Sequence, residues 1–328
     1  MPTNLPPEYY DAEERYREAQ TPEEKVTRLE ELISTVPKHK GTDHLRADLR
    51  RKLSELKKAK KRPKTVSRHE SVFHIDREGA GQVAVIGPPN SGKSSLVDAL
   101  TNATPQVGAY PFTTWEPTPG MMPFENIQIQ LIDTPPLSDE HVEPELLDLI
   151  RRADLMLLVI DIQDFPIEQL EESIALLRRH NIVPRHQYRQ ETFERYVSAI
   201  PLLVLVNKVD DEACQEDFEV FCELLEGEWP LLPVSLQSGF NVEHLKQTLF
   251  EKLEIIRVYS KPPAREADLT APFVLKRGST VETFAAKVHQ DFVKNLKAAR
   301  MWGAGVFDGQ MVGRDHVLHD GDIVELRT

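Results

Sequence analysis

The chain has 328 residues, 40% of them hydrophobic and 28% charged, with a formal net charge of −13 and two cysteines. That length suits two or three domains with cores of their own, and the balance is that of a globular protein rather than a disordered one. No apolar run approaches the ~18 residues of a membrane span, the opening Met1–Glu8 lacks the parts of a signal peptide, and Cys214 and Cys222 lack metal-type spacing, which sets the expectation of a reducing cytoplasm.

The first twenty residues hold three prolines and read as a frayed start. Thr21-Pro22-Glu23-Glu24 then forms a capping box, with proline where a helix tolerates it. Val26, Leu29, Leu32 and Ile33 follow at helical spacing, and a second helix capped by Asp43 carries Leu45, Leu49, Leu53 and Leu56 on one stripe. An N-terminal helical hairpin and basic linker over 1–68 is the expectation. Between Lys38 and Lys64 there are twelve Lys or Arg against three acids, a local +9 on an otherwise acidic chain. A solvated helical face explains such a run, and so does an arm that faces RNA or another polyphosphate.

From Gln82 to Val258 short apolar runs alternate with helical patterns. The strands are Val83–Ile86, Ile127–Ile132, Leu155–Ile160, Leu202–Val206 and Leu231–Val234. The helices are Lys93–Asn102, Pro144–Arg152, Ile167–His180, Asp217–Leu225 and Val242–Ile256, and the polar, aromatic stretch Pro184–Ala199 is a small insertion. Uniformly apolar strands separated by helices predict an α/β fold, a mostly parallel sheet covered on both faces. This domain is drawn over 69–260.

After Lys261-Pro262-Pro263 the pattern changes to short strands and one helix, about Val281–Asn295, with turns at Gly303, Gly305, Gly309, Gly313 and Gly321. That predicts a compact α+β module over 261–328. Residues 272–328 hold eight basic and seven acidic residues, so this module is near neutral.

The chemistry is concentrated in the α/β part. Gly87-Pro88-Pro89-Asn90-Ser91-Gly92-Lys93-Ser94 matches the P-loop pattern, with an apolar strand before it and Ser95-Leu96-Val97 opening a helix after it. Glycines let the backbone close around phosphates, successive N–H groups and the helix N-terminus face the anion, Lys93 reaches the β- and γ-phosphates, and Ser94 ligates Mg²⁺. Asn207-Lys208-Val209-Asp210 follows the strand Leu202–Val206. A carboxylate such as Asp210 accepts from both N1–H and the exocyclic amine of guanine, whereas adenine offers the wrong pattern, so GTP and GDP are expected rather than adenine nucleotides. Lys208 is expected along the base and the P-loop, and Ser235-Leu236 sits where a third base-contacting loop belongs. Asp133, ending an alternating strand, is the candidate for a water-mediated Mg²⁺ contact. One of Thr113 and Thr114, with Thr114 preferred, is expected to reach Mg²⁺ and the γ-phosphate. Lys93, Thr114 and Asp133 form the candidate catalytic set.

With these motifs placed, the chain resembles the Obg-related GTPases of the translation-factor class, in the developmentally regulated GTP-binding protein branch. The resemblance rests on His39-Lys-Gly-Thr-Asp-His-Leu45, the P-loop, Tyr110-Pro-Phe-Thr-Thr114, Asp133-Thr-Pro135 and Asn207-Lys-Val-Asp210. In the tail, Leu275–Val281, Ala299–Gly303, Gly309–Gly313 and His316–Val324 are similar to a TGS module of β-grasp fold. It implies GTP binding, slow hydrolysis, and association with ribosomes or RNA through the basic arm and the TGS-like module. It also implies that Asn90 helps hold K⁺ beside the phosphates.

Two departures stand out. The family's Asp-x-x-Gly is here Asp133-Thr134-Pro135-Pro136, and Pro136 has no N–H to donate to a γ-phosphate. Leu137 stands where Ras-like proteins place a water-orienting glutamine, which implies a slow intrinsic rate. The second departure is length: only about forty residues separate Asp161 from Leu202, so the family's insertion there is mostly absent. The competing expectation is an adaptor that binds GTP and scarcely hydrolyses it.

Overall fold

The computed structural model describes residues 7–18, 22–36, 49–53, 73, 75–101, 116–138, 142–188, 196–263 and 265–327. They fall into two compact units, Met1–Ser71 and Val72–Thr328.

In the first unit, helices Pro7–Glu18 and Pro22–Thr35 and the helical segment 49–53 share a small core. Leu29, Leu32, Val36 and Leu49 meet Tyr9 and Ala12 there, with Ile33 and Leu53 packed alongside. The frayed start expected from the prolines is therefore incorrect. Pro7 occupies a helix's first turn, where its missing N–H costs nothing, and Tyr9, Ala12 and Tyr16 supply an apolar face at helical spacing. Asp43, Leu45, Leu56 and most of the basic segment 38–64 lie outside the described residues.

The second unit begins with strand β1 (Gln82–Ile86), followed by β2 (Thr118–Phe124), β3 (Ile127–Asp133) and β4 (Leu155–Asp161). After a two-stranded insert of β5 (Ile182–Pro184) and β6 (Ser198–Ile200) come β7 (Leu202–Asn207) and β8 (Leu231–Pro233). The main sheet has the order β2-β3-β1-β4-β7-β8, parallel except for the edge pair β2–β3. Strand β2 escapes sequence reading because Thr118-Pro-Gly-Met-Met-Pro-Phe contains two prolines, which a sheet accepts at its edge.

Alternate residues of the central strands feed two cores. Ala84, Ile86, Met156, Leu158, Ile160, Val204 and Val206 pack with helices Pro144–Arg152 and Pro166–Arg179. Val83, Val85, Leu155, Leu157, Val159, Leu203 and Leu205 pack with helices Lys93–Leu100 and Val242–Lys252. Burial on both faces is the reason these strands carry no polar alternation. Helix Glu212–Leu224 starts five residues before the predicted Asp217 because Asp211 caps it, accepting from the Cys214 N–H at 2.9 Å.

Five further strands, β9 (Ile255–Ser260), β10 (Phe273–Lys276), β11 (Ala298–Trp302), β12 (Gln310–Val312) and β13 (Asp322–Arg327), form a second sheet in the order β10-β9-β13-β11-β12. Its core centres on Phe284 of helix Val281–Val288. The single helix expected over Val281–Asn295 is two helices, broken at His289, whose backbone is extended and whose ring accepts from the Asp291 N–H. Helix Val242–Lys252 ends before Ile256 because Ile255 and Ile256 enter β9. Strand β9 pairs with β10 and β13, so membership of the second sheet begins ahead of the proline punctuation at 261–263.

Candidate nucleotide site

Five neighbouring strands end at one edge of the six-stranded sheet, the edge where open α/β folds bind ligands. The P-loop follows β1, Asp133 closes β3, Asp161 closes β4, the Asn207–Asp210 loop follows β7, and Val234-Ser235-Leu236 follows β8. The P-loop is held close to its neighbours. Gly87 has φ 147° and lies against the Val159 carbonyl, and Gly92 has φ 94° and lies against the Asn207 side chain, so a Cβ at either position would overlap them. Asn207 Nδ2 donates to the Ser91 carbonyl at 3.0 Å, joining the two motifs directly. Asn207 Oδ1 is buried and has no partner among the described residues.

Lys93 opens the helix after the loop and is 7% exposed. Its Nζ donates to the Pro88 carbonyl at 2.7 Å, and burial lowers its pKa to about 8 against the opposing charge of Asp133. Ser94 Oγ donates to Asp133 Oδ2 at 2.6 Å. Burial raises the Asp133 pKa, with the Ser94 hydrogen bond and the Lys93 charge opposing. Asp133 Oδ1 is buried without a partner among the described residues. A hydroxyl and a carboxylate with an unused oxygen form the hard-oxygen donor set that Mg²⁺ takes. Thr113 and Thr114 lie outside the described residues, so their place is an expectation only. Asn90 is exposed in a left-handed conformation (φ 61°), Ser91 is buried with its hydroxyl on the Pro88 carbonyl at 3.1 Å, and Ser95 is exposed.

The loop after Asp133 departs from a free switch. Thr134 Oγ1 donates to the Val85 carbonyl at 2.8 Å and the Leu137 N–H donates to the Gly87 carbonyl at 2.9 Å. Leu137 is 5% exposed and packed in the core with Ile86 and Ile132. No water-orienting group stands at that position.

At the base-reading end, Asp210 accepts from Ser235 Oγ, and Ser235 is itself fully buried. Leu236 turns its side chain against the second core. Lys208, expected along the base and the P-loop, has an anchor of its own at the end of β4. Its backbone is left-handed (φ 64°) and its ammonium pairs with Asp161. Asp161 and Gln163 hold Lys208 from two sides, and no sequence motif marks them. An acid ending a strand, as Asp133 does, is the signal that points to Asp161. A cavity of about 610 Å³ lies at the opposite edge of the sheet between Arg185, Trp229, Lys252 and Arg277, away from these motifs.

Comparison with known proteins agrees with this arrangement. A family described as 50S ribosome-binding GTPase matches residues 82–208, and the TGS domain family matches residues 256–328. A GTP-binding protein of Methanocaldococcus jannaschii is 31% identical, over 93% of this chain and 92% of its own length. Developmentally-regulated G-protein 3 of Arabidopsis thaliana is 25% identical, over 92% and 98%. The YchF GTPase structure of Schizosaccharomyces pombe superposes with a TM-score of 0.50 at 14% identity, covering 77% of this chain and 99% of that one, which speaks for the fold. The fold, the shared motifs and these relatives together place the chain in the Obg-related GTPase family, on the developmentally regulated GTP-binding protein branch, with a C-terminal TGS domain.

Proposed function

We propose that this protein binds GTP and GDP and hydrolyses GTP slowly, as a nucleotide-dependent switch in ribosome- or RNA-associated processes of the cytoplasm. The observation that carries the reading is the Ser94–Asp133 contact at the end of a P-loop that Asn207 ties to the base-reading loop. The P-loop N–H groups and Lys93 hold the phosphates, Asp210 reads the guanine edge, and Ser235 fixes that carboxylate. Ser94 and Asp133, with Thr114, would hold Mg²⁺, which neutralises charge on the β- and γ-phosphates when bound. Asn90 would contribute to a K⁺ site beside them. Association with ribosomes or RNA is assigned to the basic segment 38–64 and the TGS domain. Among the described residues no helix is long and apolar enough to cross a membrane.

A second reading, a GTP-binding adaptor with almost no turnover, is favoured by one feature: Pro136 cannot donate and the next amide is committed to the Gly87 carbonyl. Single-turnover release of γ-phosphate separates the two. The switch reading expects slow release above background, faster in KCl than in NaCl. Release at background in wild type supports the adaptor. Co-sedimentation with ribosomes, with and without a non-hydrolysable GTP analogue, tests the partner.

A further inference from the structure

The geometry points to Asp161 as the residue that positions Lys208 for the guanine base and so sets nucleotide affinity; this rests on the guanine-nucleotide reading above. Asp161 is the last residue of a strand whose other six members are buried and apolar. A carboxylate there is costly unless matched. It is matched twice: Oδ2 takes the Lys208 ammonium and Oδ1 takes the Gln163 N–H at 3.0 Å. Asp161 lies opposite Asn207 in the parallel pairing of β4 with β7, so the ammonium is anchored beside the first residue of the base-reading loop.

The same turn grips the other end of Lys208, because Gln163 Nε2 donates to the Lys208 carbonyl at 3.1 Å. Both grips bear on a residue with φ 64°, a conformation that a non-glycine residue holds only with local support. From that point the chain sends Val209 into the core, its N–H on the Val234 carbonyl at 3.2 Å, and brings Asp210 to Ser235. The clamp thus sits directly upstream of the carboxylate that reads guanine. The two partners are unequally buried: the Lys208 side chain is 37% exposed and that of Asp161 only 9%. A lysine with that much access to water has no need of a partner for its own solvation. Fixing it in one place matters when a ligand must find it there.

The test is titration of the full chain with fluorescently labelled GDP, using wild type, D161N, D161E, K208M and the double variant D161N/K208M. D161N is isosteric and keeps the Gln163 contact. It is expected to weaken GDP about tenfold, within the range of measured couplings between contacting residues. IDP, which lacks the exocyclic amine, should weaken by the same factor, because Asp161 acts through Lys208 and not on that amine. D161E, which keeps the charge, should recover most of the loss. In the K208M background D161N should change affinity by less than about twofold, and for GTP turnover the loss should fall on KM rather than kcat. Two results overturn the proposal: D161N binding GDP as wild type does, or D161N weakening K208M as much as it weakens wild type, which would make Asp161 a structural residue only. Failure of wild type to bind GDP at all would overturn the guanine-nucleotide reading as well, and is distinguished by that measurement alone.

Discussion

Two regions of the second unit bury charge in opposite ways. At the carboxyl edge of the six-stranded sheet, polar capacity is left open: Asp133 Oδ1 and Asn207 Oδ1 lack partners among the described residues, and Lys93 is desolvated to a pKa of about 8. At the seam with the five-stranded sheet, Arg257 of β9 is similarly enclosed, its side chain 13% exposed, yet fully matched. It pairs with Asp320, at 2.7 Å, and with Glu125 at the tip of the β2–β3 hairpin, and lies 5.0 Å over the Phe250 ring. Hydrogen bonding to Asp320 raises the guanidinium pKa against the effect of burial. Beside it, Asn126 Nδ2 donates to the Tyr259 hydroxyl at 2.6 Å. A buried charge matched from within the chain stiffens a junction, whereas the unmatched oxygens of Asp133 and Asn207 stand among the nucleotide-site motifs with capacity left for a ligand.

The sharpest break of this comparison is Lys93→Met. Labelled-GDP affinity should fall about 100-fold, since a charge-assisted phosphate contact is worth roughly 1.5–3 kcal/mol and every 1.4 kcal/mol is tenfold. The melting temperature without nucleotide should not drop, because a desolvated ammonium is removed. A melting temperature lowered by several degrees would put Lys93 among the structural charges.

Arg257→Ala should do the reverse. Loss of stability by about 2 kcal/mol in urea is expected, below the full penalty for a broken buried pair because Glu125 and Asp320 are 58% and 34% exposed. GDP affinity should stay within about twofold. A large affinity loss would show that the seam and the site are one system.

Pro136→Gly restores an N–H to the loop after Asp133. Phosphate release should rise about tenfold, less than the full value of a transition-state donor because the Leu137 amide stays on the Gly87 carbonyl. An unchanged rate would place the defect in that closed loop instead.

The smallest effect is the pH dependence. Lys93 loses its charge above about pH 8 in the free protein, so GDP binding in EDTA should take up a proton there. Affinity should fall by a factor approaching ten between pH 7 and 9 and by at most tenfold per unit. For stability the sign is opposite. The lowered pKa means that the unfolded chain holds the extra proton between about pH 8 and 10.5, so this group's destabilising contribution is present below 8 and relieved as pH rises through that window. Isothermal titration in buffers of different ionisation enthalpy reads the proton uptake directly.

What was legible in the sequence had local causes. The P-loop and the Asn207–Asp210 motif are legible because phosphate and base contacts demand particular residues at fixed spacing. Strands β1, β4 and β7 are legible because burial on both faces leaves them apolar except for one residue at an end. Strand β2 was hidden by its prolines, and the helix Pro7–Glu18 by the prolines before it, since neither apolar face shows until there is a surface to cover. Local pattern alone was enough for the family and the α/β class. The pairing of Lys208 with Asp161, the turn of Leu137 into the core, and the joining of Arg257 to Glu125 and Asp320 emerge from the folded chain. These partners lie tens of residues apart, and which of many carboxylates a lysine or arginine meets is set by how strands order and helices pack, information that no local pattern carries.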